Sequence, residues 1–232
     1  MDPVFDLATV DSDGAIREAE DRVAGDTRAA FFRKAAIGGS AVIGSGAILG
    51  VLPELAIGAP SKKQDLAILN YALTLEYLEA EFYALAVRHG RTFGAQARNL
   101  AATIAGHEAA HVQALQQTIK SLGGKAVAKP TFDFKGTTRK RSTFLQTAYV
   151  LENTGVHAYL GQAGNLKSKA LLAAAASIVT VEARHAAAVA TLADKTPFHD
   201  KGVGITPDGG FDTPLSKDEV LAAVGKTGFI KG

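Results

Sequence analysis

The chain reads Glu108-Ala-Ala-His111 in one place and Glu182-Ala-Arg-His185 in another. Each of these Glu-x-x-His pairs places a carboxylate and an imidazole about one turn apart on the same face of a helix. The glutamates and histidines of the chain would produce about 0.26 such pairs by chance, so one pair alone would be a weak signal. Two pairs, 74 residues apart, are a strong one.

A single glutamate precedes each pair, and these two glutamates lie in matching surroundings. Alanine stands four residues before, leucine one residue before and tyrosine seven residues after both Glu76 and Glu152, the tyrosines being Tyr83 and Tyr159. This repeat indicates that the two halves of the predicted bundle are diverged copies of each other. It also selects Glu76 rather than Glu79 as the counterpart of Glu152, because the other alignment loses the alanine and the tyrosine.

The order of these residues, a glutamate followed by a Glu-x-x-His pair and then both again, predicts a four-helix bundle that holds two metal ions in its core. Four buried carboxylates without cations would be forced to protonate, whereas two divalent cations balance their four negative charges. Oxygen-rich ligands with two imidazoles favour two iron or two manganese ions over copper, with zinc as an alternative occupant in vitro. The predicted metal ligands and catalytic residues are Glu76, Glu108, His111, Glu152, Glu182 and His185.

Other polar side chains on the same helices have more than one interpretation. Tyr83 and Tyr159 either hydrogen-bond the metal ligands, and so help to bind the cofactor, or are core tyrosines with satisfied hydroxyls. Glu79, one turn after Glu76, is interpreted as an exposed residue or as one that surrounds the ligands, with a supplementary metal-binding carboxylate as the alternative. Glu81 is expected to be solvated. His107 is rotated about 100° from the ligand face and is interpreted as a surface or packing residue. The same interpretation applies to His89, His157 and His199.

Helical periodicity and glycine-containing turns predict four long helices. Two short connections flank one long link that contains Pro130 and the segment Thr131-Phe132-Asp133-Phe134. We therefore predict an all-α fold, a ferritin-like four-helix bundle with a long crossover between its second and third helices. The predicted helices cover residues 62–89, 92–122, 142–164 and 168–193, and a short tail helix covers residues 216–224 with Ser216 as its cap.

The segments outside the bundle predict a leader and a tail. Basic residues from Arg28 to Lys34, an uncharged stretch over residues 35–53 and small residues up to Ala59 form the three-part layout of an export signal. This segment is either cleaved near Gly58 or retained as a marginal membrane anchor, since a span requires about 18 residues. The predicted regions are an acidic N-terminal segment (1–26), the leader or anchor (27–60), the bundle (61–195) and a loop-rich tail (196–232). The tail residues expected to pack on the bundle are Phe198, Phe211, Leu215, Phe229 and Ile230.

Composition excludes several function classes. The 232 residues are 47% hydrophobic and include no cysteine, which excludes disulfides, thiolate metal sites and cysteine nucleophiles. The net charge of +2 combines −6 over residues 1–26 with +8 over the remainder. The later positive charges are scattered apart from Arg139-Lys140-Arg141, which we interpret as a solvated loop, so no nucleic-acid partner is expected.

The chain resembles the bacterial ferritin-like domain family that often carries a twin-arginine leader and includes the plant desiccation-related proteins. The resemblance covers about residues 62–230 and implies an exported four-helix bundle, with the di-metal ligand roles on the six positions given above. Ala29 stands where the second of the paired leader arginines would follow Arg28. The motifs that carry the resemblance are residues 69–79 (LNYALTLEYLE), 106–111 (GHEAAH), 132–134 (FDF), 151–156 (LENTGV), 181–185 (VEARH) and 211–215 (FDTPL).

Together these features predict a di-iron or di-manganese protein with O2 or peroxide as its substrate, acting as a ferroxidase or as a peroxide scavenger. One alternative is a structural or stress-protective bundle, self-assembling or membrane-associated through residues 35–53, in which the site only stabilises the fold. A second alternative is an iron-storage shell built as a homo-oligomer. Export would place the protein in the periplasm, the cell envelope or the medium.

Overall fold

The computed structural model describes residues 59–193, 205–207 and 210–231. It confirms the predicted all-α ferritin-like bundle, with helix ends within three residues of those expected. A short two-stranded sheet, which the sequence reading did not predict, is added to the helices. The helices are α1 (Ala59–His89), α2 (Ala95–Ser121), α3 (Arg141–Ala163), α4 (Lys169–Leu192) and α5 (Lys217–Thr227), and the strands are β1 (Thr131–Phe132) and β2 (Ile230–Lys231). Two single 3-10 turns, Gly90–Thr92 and Thr137–Arg139, precede α2 and α3.

The four long helices form two hairpins that face each other. Helix α1 packs along α2, and α3 packs along α4. Across the bundle, α1 contacts α3 and α2 contacts α4. Short connections join each hairpin, and the long link between α2 and α3 carries β1, so each of the four helices can direct one face to a common interior.

Local chemistry explains where the helices begin and end. Gly94 before α2 and Gly123 after it have φ angles of 80° and 69°, which residues with a side chain rarely adopt. The Ser168 side chain accepts a hydrogen bond from Leu171 N and so caps α4. The buried carboxylate of Asp65 accepts hydrogen bonds from Lys167 N at 2.9 Å and Ser168 N at 3.2 Å, which ties α1 to the turn before α4.

Two hydrophobic clusters fill the two ends of the bundle interior. One is aromatic, with the Phe144 ring 4.7 Å from Phe93 and 5.7 Å from Phe82 between ring centroids. The other is mainly aliphatic and includes Leu73 and Ile119, both fully buried. Each long helix contributes to both clusters, and its polar interior residues lie between them.

The C-terminal tail packs on the aromatic end. Ser216 and Glu219 form a capping box at the start of α5. Phe229 is buried with its ring 5.3 Å from that of Phe134, and Leu215 and Ile230 pack against the same cluster. Phe211 is 87% exposed, so the expectation that it packs on the bundle is wrong. The strands β1 and β2 pair antiparallel, with Thr131 opposite Lys231 and Phe132 opposite Ile230.

Several predictions fall on other parts of the chain. The acidic segment, residues 27–58 of the leader or anchor, and Phe198 and His199 lie outside the described residues. Among the described helices, α4 is long and apolar enough to cross a membrane by length and composition. It also carries Glu182 and His185 in the bundle interior, and core helices of soluble bundles meet the same criterion.

Candidate metal centre

The structure brings all six predicted ligands together between the two hydrophobic clusters. Helices α1 and α3 each contribute one glutamate, and α2 and α4 each contribute a Glu-x-x-His pair. All four glutamates are fully buried, and the histidine side chains are 12% and 6% exposed. The residues are Glu76 from α1, Glu108 and His111 from α2, Glu152 from α3, and Glu182 and His185 from α4.

Their donor atoms form two overlapping groups, and within each group all the atoms lie within 4.8 Å of one another. One group consists of Glu76, His111 and two further glutamates, and the other of Glu152, His185 and the same two glutamates. The shared residues, Glu108 and Glu182, are the glutamates of the two Glu-x-x-His pairs. Each group could hold a cation, and Glu108 and Glu182 would then be common to both positions.

Both histidines direct the same ring nitrogen at the carboxylates. His111 Nδ1 lies 2.9 Å from Glu182 Oε1 and 3.3 Å from both Glu76 Oε2 and Glu108 Oε2. His185 Nδ1 lies 3.1 Å from Glu108 Oε1, 3.2 Å from Glu152 Oε2 and 3.6 Å from Glu182 Oε2. The two half-sites therefore have matching contacts, as the sequence repeat predicts.

The ligand atoms suit bound cations better than they suit one another. Within the described part of the chain, several buried atoms of the site have no hydrogen bond of acceptable geometry, although nitrogen and oxygen atoms approach to about 3 Å. Buried polar atoms without partners are costly, and ligand atoms that converge on a cation are the usual exception. The atoms are Glu76 Oε2, Glu108 Oε1, Glu152 Oε2, both carboxylate oxygens of Glu182, and His185 Nδ1.

Without a cation, protons and the histidines must balance the carboxylates. Burial would raise the pKa of Glu108, but contacts with His111 and His185 outweigh it and lower that pKa to about 2. Burial raises the pKa of Glu152 to about 8 and that of Glu76 well above its usual value. Burial alone would lower the pKa of each histidine, but the surrounding carboxylates raise it to about 12 for His111 and about 11 for His185. The metal-free site is thus protonated, and cations must displace these protons to bind.

Tyr83 and Tyr159 hydrogen-bond the terminal glutamates, but each serves the glutamate of the other repeat. The Tyr159 hydroxyl donates to Glu76 Oε1 at 2.5 Å, and the Tyr83 hydroxyl donates to Glu152 Oε1. Seven residues along one helix is about 10 Å, too far for a tyrosine to reach the glutamate of its own repeat. The exchange connects α1 with α3 across the bundle.

Glu79 belongs to the interior as well, so the expectation that it is exposed is wrong. It is 3% exposed, and burial and then the charges of Glu182 and Glu152 raise its pKa well above the usual value. Glu81, two residues on, is partly exposed and pairs with Lys129 at 2.5 Å, so only this second carboxylate is solvated.

The interpretation of His107 as a surface or packing residue missed a contact with a ligand. His107 Nδ1 lies 2.8 Å from His185 Nε2, and the two rings are inclined by only 14°. A helical wheel places His107 off the ligand face, and it does not show that the ring reaches a histidine on a neighbouring helix. Of the other histidines that the structure describes, His89 contacts Thr138 and His157 contacts the carbonyl of Thr213, both away from the site.

The four long helices pack around one core, and each supplies a glutamate to its interior. In two of them that glutamate begins a Glu-x-x-His pair, and this combination defines the class of ferritin-like bundles with a carboxylate–histidine site. Comparison with known families agrees with this class. The family model described as a ferritin-like domain matches residues 64–195, more than half of the chain. The chain therefore belongs to the ferritin-like domain family. No curated protein matches it.

Proposed function

We propose that this protein binds two iron or two manganese ions in its core and acts as an oxidoreductase on O2 or peroxide, as a ferroxidase or as a peroxide scavenger. The observation that supports this best is the sharing of Glu108 and Glu182 by two groups of donor atoms. Cations held by common carboxylates would lie side by side, and two adjacent ions would suit a reaction that transfers two electrons to one small molecule.

Each ion would have its own terminal ligands. Glu76 and His111 would hold one ion, and Glu152 and His185 would hold the other. Carboxylate oxygens and imidazoles are a donor set that iron and manganese accept well. When bound, the ions supply the one-electron chemistry that the side chains lack.

The tyrosines keep the terminal glutamates in place. Tyr159 donates to Oε1 of Glu76, while Oε2 of the same carboxylate is the atom that faces His111. In the same way, the Tyr83 hydroxyl donates to Oε1 of Glu152, while Oε2 of that carboxylate faces His185. Each terminal carboxylate is therefore fixed by one oxygen and free to bind a cation with the other.

Enclosure of the site favours a small substrate. The four glutamates are fully buried and the most exposed ligand, His111, has 12% of its side-chain surface exposed. A diatomic molecule or a peroxide fits such access, and the surrounding apolar clusters keep bulk water from the ligands.

The proposal is tested by loading metal-free protein with Fe2+ or with Mn2+ and measuring O2 uptake and peroxide consumption. We expect turnover by one loaded form, lost in Glu182→Gln and kept in Glu81→Gln, because Glu81 is a surface carboxylate paired with Lys129. Inactivity of both loaded forms would contradict the proposal. It would favour the rival, a structural or protective bundle in which the ions only stabilise the fold.

The location of the protein is a separate part of the proposal. The basic head and uncharged stretch of residues 28–60 support export, with membrane association through residues 35–53 if the segment is retained. Cell fractionation and N-terminal sequencing of the mature protein would test this. Particle size in solution would distinguish a small homo-oligomer from a storage shell.

A further inference from the structure

Glu79 is a fifth buried carboxylate beside the candidate metal centre. It lies on α1 one turn after Glu76 and is 3% exposed. No hydrogen bond from any residue that the structure describes reaches its carboxylate. A buried carboxylate without a donor is unfavourable unless a cation or a proton neutralises it.

The repeat explains why there is room for Glu79. The offset that aligns Glu76 with Glu152 aligns Glu79 with Gly155, so the second repeat has no side chain at this position. A Cβ on Gly155 would lie 3.3 Å from Glu79 Oε1 and 3.8 Å from Glu182 Cγ. The carboxylate of Glu79 therefore lies near Glu182, in space that a glutamate at position 155 would also need.

The charge count then differs from that of the six ligands alone. Two divalent cations balance the four glutamates of the ligand set, and Glu79 adds one further negative charge. Two cations with a total charge of five or six are not fully balanced by the four glutamates, and Glu79 would supply further negative charge. Two cations with a total charge of four are already balanced without it. Glu81 does not contribute in this way, because Lys129 and Arg88 pair with it at the surface.

We propose that Glu79 supplies a fifth negative charge to the metal centre and thereby makes the centre favour trivalent over divalent cations. The proposal rests on the metal centre of the proposed function but not on any turnover by it. At roughly 6 Å from the cations and an effective dielectric of about 20, the charge of Glu79 changes the binding affinity about 100-fold for each unit of cation charge. Relaxation of the protein and solvent reduces this factor to about 10-fold or more.

The test compares Tb3+, followed by luminescence excited through tyrosine, with Mn2+, followed by the electron paramagnetic resonance of the free ion. In Glu79→Gln the affinity for Tb3+ should fall about 10-fold or more beyond any fall in the affinity for Mn2+, because Tb3+ carries one more positive charge. Glu79→Asp keeps the charge and should retain most of the preference. Glu81→Gln, which removes a surface carboxylate, should leave both affinities unchanged.

Each outcome decides the question. Equal losses for the two ions in Glu79→Gln, or a Glu79→Asp variant that behaves like Glu79→Gln, would overturn the role of the charge. A wild-type protein that binds neither ion would overturn the metal centre itself. Wild-type protein that shows the preference but consumes neither O2 nor peroxide when loaded with iron or manganese would support this inference while contradicting the proposed function. Unfolding curves of the metal-free variants identify any that lose affinity through misfolding.

Discussion

Replacing Glu108 by Gln should abolish binding of both metal ions, whereas replacing Glu76 by Gln should abolish binding of one. Glu108 belongs to both groups of donor atoms, with Oε2 3.3 Å from His111 Nδ1 and Oε1 3.1 Å from His185 Nδ1. Glu76 belongs to one group only. The two substitutions have the same chemistry, so a difference between them reports the position of each glutamate in the site.

The same pair should differ in the stability of the metal-free protein. Burial would raise the pKa of Glu108, but the two histidines outweigh it and lower the pKa to about 2. Relative to its usual value, this corresponds to roughly 3 kcal/mol in favour of the ionised carboxylate. Removing one partner of a buried ion pair costs about 3–5 kcal/mol, which is consistent. For a domain of this size, a loss of roughly 3 kcal/mol lowers the Tm by about 6–12 °C.

Glu76 should behave differently because burial raises its pKa well above the usual value. Burial therefore favours the protonated form of its carboxyl group in the metal-free protein, and Gln resembles that form in shape and charge. We expect the Tm of metal-free Glu76→Gln to change by less than about 2 °C.

The assays are metal content per chain by mass spectrometry after loading with Mn2+ and dialysis, and calorimetry of the metal-free variants. Glu81→Gln is the matched control, since its carboxylate pairs with Lys129 at the surface. Retention of one ion by Glu108→Gln would refute the assignment of Glu108 as a shared ligand. Equal destabilisation of the two metal-free variants would refute the charge distribution within the site.

Three further predictions concern the surroundings of the site. His107→Val should weaken metal binding about 10–100-fold with little change in the Tm of metal-free protein, because the exposed His107 holds the ring of a ligand; a chelator competition assay measures this. Raised pKa values of about 8 for Glu152 and about 12 for His111 mean that the folded metal-free protein binds more protons than the unfolded chain above about pH 4.5, so its stability should fall as pH rises. Cations displace these protons, so the gap in Tm between Mn2+-loaded and metal-free protein should widen from about pH 5 to pH 9, and a narrowing gap would contradict the protonation scheme. Gly161→Ala would place a Cβ against the backbone carbonyl of Leu215, and it should release the tail, seen as faster proteolysis after residue 193 with the bundle intact.

Much of this architecture could be predicted because each feature repeats at a helical or duplicated spacing. The four long helices follow from periodicity, and the six ligands follow from two Glu-x-x-His pairs and two matched glutamates. The alignment of repeats compares each residue with its copy, not with its spatial neighbour. It therefore found Tyr83 and Tyr159 but did not show that they exchange glutamates between repeats.

The remaining features depend on distances between parts of the chain that local patterns do not relate. The strands β1 and β2 pair across about 100 residues and are two residues each, too short for an alternation of side chains. The burial of Glu79 depends on Gly155 of another helix, and Phe211 is apolar but 87% exposed. Hydrophobicity alone therefore gave the right result for Phe229 and the wrong one for Phe211.

The departures from the repeat make the two groups of donor atoms inequivalent. By ligand identity and by contacts, the half-site of His111 and that of His185 are copies of each other. However, His107 holds the ring of His185 through its Nε2 atom, and the offset that aligns the two Glu-x-x-His pairs places Val181 at the equivalent position. A valine side chain cannot form a hydrogen bond, so His111 has no corresponding support from that position. The His111 side chain is also the more exposed of the two, at 12% against 6%. Because orientation of a ligand ring by a neighbouring group strengthens metal binding, the ion at His185 should be held more tightly, and the ion at His111 should exchange first.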